Sequence, residues 1–195
     1  MRLKLVCVSL ACLGATLLAA CTSMIDDMRN DVEGTPTLMA EARANQKLAL
    51  AEGCLASVFG DKPLRSIMAA QVYAKEIPAK DTGSPTAVAA WRLDSANTTY
   101  IMDLPGGACS MSVRMGDPQQ LYDAGVALIQ ARGAFAQGMT DTAERGDALR
   151  TVWCTAGPYP HVAVFYKRTT GRRDAFLANV FKAQGATFSA CRASQ

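Results

Sequence analysis

Four cysteines, Cys54, Cys109, Cys154 and Cys191, constrain this chain more than any other feature, provided the compartment lets them oxidise. The start of the sequence decides that condition. "MRLKLVCVSLACLGATLLAAC" carries Arg2 and Lys4 and then no charge over the 16 residues from Leu5 to Ala20. Such a run is short for a membrane span, which needs roughly 20 apolar residues. A basic start, a short apolar stretch and small residues at its end make a secretory signal. Residues 1–20 are therefore expected to be removed. Cys7 and Cys12 leave with them, Cys21 stands at the cut, and an even set of four remains. Disulfides persist in exported proteins, and four cysteines allow three pairings. The preferred pairing joins Cys54 to Cys109, an early helix to a central strand, and Cys154 to Cys191, the tail to the sheet; the sequence leaves the connectivity open. In chain-entropy terms each bridge would stabilise by about 4 kcal/mol. A zinc site is the rival use of these cysteines. No C-x-x-C pair is present and His161 is the single histidine, so no metal and no other cofactor is expected.

Leu18-Ala19-Ala20-Cys21 resembles the bacterial lipobox, the mark of lipoprotein precursors. The resemblance implies a diacylglyceryl group on the sulfur of Cys21, cleavage before it, and acylation of its new amine. One fatty chain holds a protein only reversibly, whereas two or three hold it essentially permanently. Thr22 follows the cysteine, where an Asp would retain a Gram-negative lipoprotein at the inner membrane. The resemblance thus implies an outer-membrane address; a periplasm-facing domain is the expectation, and the sequence leaves periplasmic against surface orientation open. The rival expectation is an ordinary secreted protein with a chance cysteine at the cut.

The whole chain has 195 residues and a formal net charge of +3. The leader holds two basic and no acidic residues, so the mature chain carries a charge of only +1. Nothing in that balance resembles a nucleic-acid footprint, and no nucleic-acid partner is expected. The 175 residues left are enough for one domain with a core. The expected division is a signal over 1–20, the lipidated cysteine with a polar tether over 21–36, and one globular domain over 37–195. "TSMIDDMRNDVEGTP" supplies the tether.

Within the domain a helix is expected over Thr37–Phe59, with Pro36 suiting its start and Gly60 its end. Leu48, Ala51, Cys54, Leu55, Val58 and Phe59 share one face of it, so Cys54 points inward. A second, shorter helix is expected over 62–73 and a loop over 76–86. "AVAAWRL" (87–93) and "TTYIMDL" (98–104) read as strands about a turn at Ser95, Ala96 and Asn97. "ACSMSVRM" (108–115) alternates strictly: Cys109, Met111, Val113 and Met115 on one face, Ala108, Ser110, Ser112 and Arg114 on the other. That pattern predicts a meander with one wet face. Asp117 and Pro118 then open a helix that Gly133 ends. Three strands follow over 136–144, 148–156 and 161–169, and then a helix over about 171–184. The predicted fold is α+β: an antiparallel sheet of five to seven strands packed on helices, in the order αα-βββα-βββα, stabilised by disulfides. The repeated βββα unit raises an internal duplication as an expectation, and "ATFSACR" is a candidate edge strand.

This order resembles a family of small secreted bacterial proteins of uncharacterised activity. The residues that carry the resemblance are the Cys-bearing helix "LALAEGCLA", the Trp91 strand, the G-x-C-S-x-x-V strand from Gly107 to Val113 and the helix opening with Asp117. The resemblance covers roughly 40–183 and implies the fold and the Cys54–Cys109 pairing. Cys154, Cys191 and the lipid site are additions, and no activity or catalytic residue carries over.

The sequence assembles no reactive group. His161, in "PYPHVAV", has no G-x-S-x-G elbow to serve, and no motif links it to Ser110. A cysteine nucleophile would need a free thiol beside His161. Asp103, Asp141 and Glu144 are carboxylates without an assigned role. "GGAC" and "GTP" lack the spacing and the lysine of a phosphate loop, and "RGD" at 145–147 reads as a hairpin turn. Lys167, Arg168, Arg172 and Arg173 are a candidate anion-binding cluster, since Arg forks match phosphate and carboxylate groups. Tyr122, Tyr159 and Tyr166 are candidate interface residues. The expectation is therefore a lipid-anchored, non-enzymatic module that binds an envelope protein or polymer. The alternatives are an inhibitor or immunity lipoprotein against an envelope-attacking enzyme, and an envelope enzyme whose site is scattered across the sheet.

Overall fold

The computed structural model describes residues 35–60, 62–93, 98–169, 174–183 and 189–191. The signal, Cys21, Thr22 and the rest of the tether up to residue 34 lie outside the described residues. So do Ser95, Ala96, Asn97, Arg172 and Arg173.

Pro36 opens the first helical segment, α1, with Thr35 extended before it. The segment runs as an α-helix over Pro36–Gln46, as a π-helix over Lys47–Leu55 and as a last α-turn over Ala56–Phe59. Hydrogen bonds in the π stretch span five residues. Ala49 therefore stands over Cys54 and Leu50 over Leu55, and all four are fully buried. The wide turn brings Gly53 onto the sheet: a Cβ there would lie 2.4 Å from Cδ1 of Ile101. A short helix α2 follows over Leu64–Ala69, then strand β1 over Ala74–Ile77 and a 3-10 turn over Ala79–Thr82. Strands β2 (Ala89–Leu93), β3 (Thr99–Leu104) and β4 (Ala108–Val113) complete a meander. Helix α3 spans Pro118–Arg132, capped by Asp117, whose carboxylate accepts from the Gln120 N–H at 2.8 Å. The last four strands are β5 (Phe135–Thr142), β6 (Ala148–Thr155), β7 (His161–Arg168) and β8 (Phe176–Lys182).

All eight strands form one sheet in the order β1-β2-β3-β4-β8-β7-β6-β5, with every neighbouring pair antiparallel. The two meanders meet at β4 and β8 in the middle. Helix α3 carries the chain from the central β4 to the far edge at β5. Both α1 and α3 lie on one face, and the main core fills the space between. Leu50, Leu55, Leu121 and Ile129 from the helices meet Trp91, Ile101, Met111, Trp153, Phe165, Phe176 and Val180 from the sheet. Cys54 is bonded to Cys109 and Cys154 to Cys191, with Cα atoms 5.2 and 5.8 Å apart. Among the described residues no helix is long and apolar enough to cross a membrane.

The α+β class and the antiparallel sheet stand, but the finer expectations need correction. The sheet has eight strands, not five to seven. The helix expected over 171–184 is strand β8, which pairs with both β4 and β7. Phe176, Leu177, Val180 and Phe181 fit a helical spacing, yet the burial follows period two: Phe176, Ala178 and Val180 are fully buried, while Leu177, Asn179 and Phe181 are partly exposed. The order αα-βββα-βββα and the βββα duplication fall with that helix. Each half is instead helical first and a four-stranded meander after, with Trp91 and Trp153 each on its second strand. The edge strand β1 fills the unassigned residues Ala74 and Lys75 and takes Glu76 and Ile77 from the loop expected over 76–86. Of the candidate edge strand "ATFSACR" only Ser189–Cys191 are described, and they form a 3-10 turn; the rest lies outside the described residues. The face of β4 expected to be wet is buried as well: Ser110 is 5 % and Ser112 4 % exposed. These small side chains sit between Met102 and Tyr100 on β3 and Asn179 and Leu177 on β8, and the larger neighbours shield them.

Candidate functional site

The sheet separates the candidate residues. His161 begins β7 on the helix-covered face, where its ring stacks on Phe59 with centroids 3.8 Å apart. Ser110 points from β4 to the opposite face, so the two do not meet. The His161 pKa lies below its ordinary value. Burial is the main cause and the Lys182 charge adds to it, while a hydrogen bond from the ring to the Val58 backbone pulls the other way. Val58 lies in the last turn of α1, where carbonyls lack helical partners. The histidine thus caps α1 from the sheet, with the Arg132 guanidinium 5.7 Å from the Phe59 ring.

The carboxylates do not converge. Asp103 is the next-to-last residue of β3, whereas Asp141 lies on the edge strand β5. Five strand steps separate them, roughly 24 Å at about 4.8 Å per step. Asp141 is held below its ordinary value by hydrogen bonds from Arg150 opposite it on β6. Both carboxylate oxygens accept from that guanidinium, Oδ1 from Nε at 2.7 Å and Oδ2 from Nη2. Glu144 is exposed in the β5–β6 turn. In the basic cluster, Lys167 and Arg168 leave β7 on opposite faces. The Lys167 ammonium donates to Gln119 Oε1 at 2.5 Å and lies 5.4 Å from the Tyr122 ring centroid, so it is engaged with α3. Tyr122 packs edge-on against Phe165. Tyr166 is partly exposed, and Tyr159 is 61 % exposed in the β6–β7 turn.

A different place gathers open surface and chemistry: the corner where α1 ends and α2 begins. On one side lies a cleft of about 470 Å³. Its walls are Ser57 and Gly60 at the end of α1, Lys62 and Pro63 before α2, and Asp103 with the turn Pro105-Gly106-Gly107 between β3 and β4. Gly106 and Gly107 both take left-handed φ, +77° and +75°, and so turn the chain tightly at the rim. Val88, which also lines the cleft, is 66 % exposed. On the other side of Gly60 and Lys62 a second groove, about 480 Å³, is lined by Glu52, Ala56, Ser66, Ile67, Ala70 and Gln71. The chain leaves that groove through Val72 and Tyr73, which are 90 % and 68 % exposed.

Burial raises the pKa of Asp103, and the Arg65 charge partly offsets the rise. The corner therefore presents a partly desolvated acid, an exposed ammonium on Lys62, an exposed glycine turn and exposed apolar side chains. That combination suits docking of a short segment with both polar and apolar groups. Among the described residues no three His, Cys, Asp or Glu side chains converge as metal ligands. Sequence reasoning missed this corner, because its walls come from segments some 45 residues apart. The one local signal is the Pro-Gly-Gly turn next to an acid.

Comparison of the chain with protein-family models, with curated proteins and with solved structures found no match.

Proposed function

We propose that this chain is a bacterial envelope lipoprotein, moored through lipid on Cys21 after loss of residues 1–20, whose domain binds an envelope protein or polymer without doing chemistry of its own. The address is the periplasmic side of the outer membrane. The lipobox-like Leu18-Ala19-Ala20-Cys21 and Thr22 support the anchor and the sorting. Two closed disulfides suit an oxidising compartment. The observation that carries the binding role is the corner: two open clefts share Gly60 and Lys62, with Val72, Tyr73 and Val88 exposed beside them. Val88 lines one cleft and Val72 and Tyr73 follow the last lining residue of the other, and exposed apolar side chains at a cleft offer contact area to a partner.

The test has two arms. Metabolic labelling with a fatty-acid analogue should tag the chain and fail on Cys21→Ser; equal labelling of both would refute the anchor. A photo-crosslinking residue at position 88 should capture an envelope partner, while the same residue at position 159, on the far meander, should not. Capture at both positions or at neither would refute the corner as the docking surface.

A further inference from the structure

The two disulfides have unlike surroundings. Cys54 is fully buried and Cys109 is 2 % exposed, both inside the main core under α1. Cys154 is buried on the opposite face of the sheet, but its partner Cys191 is partly exposed at the end of the 3-10 turn Ser189–Cys191. Ala190 and Cys191 in that turn lie against a second, smaller apolar cluster of Val152, Cys154, Val162, Val164 and Ala183. Strand β5 is shaped to let the turn pass. The β5–β6 register slips between Gln137 and Thr140. A Cβ on Gly138 within that bulge would stand 2.4 Å from the Ala190 carbonyl oxygen. The turn Ser189–Cys191 is thus a strap, seated on a glycine bulge, that covers part of the second face and is held by the more accessible of the two bridges. The loops closed by the bridges span 55 and 37 residues. These lengths are similar, so any difference in ease of opening comes from access and packing.

We propose that Cys154–Cys191 is a thiol–disulfide exchange site for a dithiol reductant, and that opening it lifts the C-terminal strap off the β5–β6 face while the rest of the fold stays intact. A thiolate of the dithiol attacks the sulfur of Cys191. A mixed disulfide forms there, the Cys154–Cys191 bond breaks, and Cys154 leaves as a thiolate that takes up a proton. The second thiol of the reagent, deprotonated, then attacks its own mixed-disulfide sulfur, releasing the Cys191 thiolate, which is protonated. One protein disulfide is reduced to two thiols, and one dithiol is oxidised to its disulfide. The reverse exchange refastens the strap. Cys54–Cys109 has no such access until α1 leaves the sheet.

The experiment titrates the oxidised full chain with dithiothreitol under native conditions, quenches with an alkylating reagent and reads each cysteine by peptide mass spectrometry. Cys154 and Cys191 should be alkylated at concentrations at least tenfold below those that label Cys54 and Cys109. Over the same range far-UV circular dichroism should hold, an apolar dye should gain fluorescence and protease should trim the C-terminal tail faster. Labelling of all four cysteines together, or of Cys54 and Cys109 first, would overturn the assignment. Selective opening with no change in dye binding or trimming would overturn the strap. A Cys154→Ala/Cys191→Ala double variant should fold with Cys54–Cys109 closed and already show the dye and protease behaviour of the opened chain. A double variant that does not fold would make the outer bridge part of the core and overturn the proposal.

Discussion

The closest approach of helix to sheet supplies a sharp test of the fold. Gly53 lies in the π stretch of α1, and a Cβ built on it meets Cδ1 of Ile101 at 2.4 Å, with Leu48 O and Met68 Cε at 3.4 Å. Ile101 is fully buried, so a turn about χ2 that moves Cδ1 away from the new methyl drives it into other close-packed neighbours. Two terms compete in Gly53→Ala. Replacing glycine inside a helix favours the helical chain by about 1 kcal/mol. Forcing an extra methyl into a packed interface costs about 1–3 kcal/mol. The net expectation is a loss of about 1 kcal/mol, which lowers Tm by roughly 2–4 °C for a chain of this size. Ile101→Val removes the methyl that clashes and by itself costs about 0.5–1.5 kcal/mol. In that background the new Cβ has room, so Gly53→Ala should become neutral or stabilising. The pair should therefore couple by at least about 1 kcal/mol, where independent sites add to within about 0.5 kcal/mol. Urea unfolding of the four oxidised proteins at constant pH gives the cycle directly. Equal effects of Gly53→Ala in both backgrounds would show that α1 does not sit on Ile101 as described.

Two further predictions concern protons. Burial and Lys182 hold the folded His161 below its ordinary 6.5, so the neutral ring stabilises the fold above about that pH. The contribution is lost as pH falls through the depressed folded value. The urea midpoint should therefore drop more between pH 7 and pH 5 in the wild type than in His161→Gln, whose amide can still donate to the Val58 carbonyl; parallel profiles would count against the capping role. Asp103 has the opposite sign. Its folded value is raised by burial, so its contribution is favourable below the ordinary 3.8 and is lost as pH rises through the folded value. Asp103→Asn should stabilise the fold slightly at pH 7, by well under about 1 kcal/mol because the group is partly solvated, and so raise the Tm a little, and the gain should vanish in acid. A lower Tm at pH 7 would mean that the charged carboxylate has a partner in the corner.

The local signals in the sequence reach as far as local physics does. Asp117 followed by Pro118 places the start of α3 because the cap and the first turn are built from neighbouring residues. The alternation in "ACSMSVRM" places β4 for the same reason. Phe176, Leu177, Val180 and Phe181 mislead because two apolar pairs four residues apart serve a helix face and also straddle a strand. Only the neighbours β4 and β7, recruited from elsewhere in the chain, decide for the strand. Strand β1 escapes notice because Ala74-Lys75-Glu76-Ile77 has little apolar content, as suits a short charged edge. The π stretch has no residue signature at all. The contact of His161 with Phe59 and Val58 joins positions about 100 residues apart, beyond any periodicity. The docking corner is non-local in the same way.

The buried bridge and the docking corner are one construction. Ser57 and Gly60, on one wall of the cleft, come three and six residues after Cys54; Asp103 and the Pro105-Gly106-Gly107 turn, on the other wall, come just before Cys109. The Cys54–Cys109 bond thus ties together the two segments that form the cleft, and it does so inside the core, where both cysteines are closely packed. A cleft whose walls are fixed in this way loses little freedom when a partner docks, and that saving appears as affinity. Cys154–Cys191 touches neither wall and lies on the other face of the sheet. Strap and corner are therefore mechanically separate: opening the outer bridge changes what the second face exposes and leaves the shape of the corner alone, whereas opening the inner bridge loosens the corner even where the sheet survives.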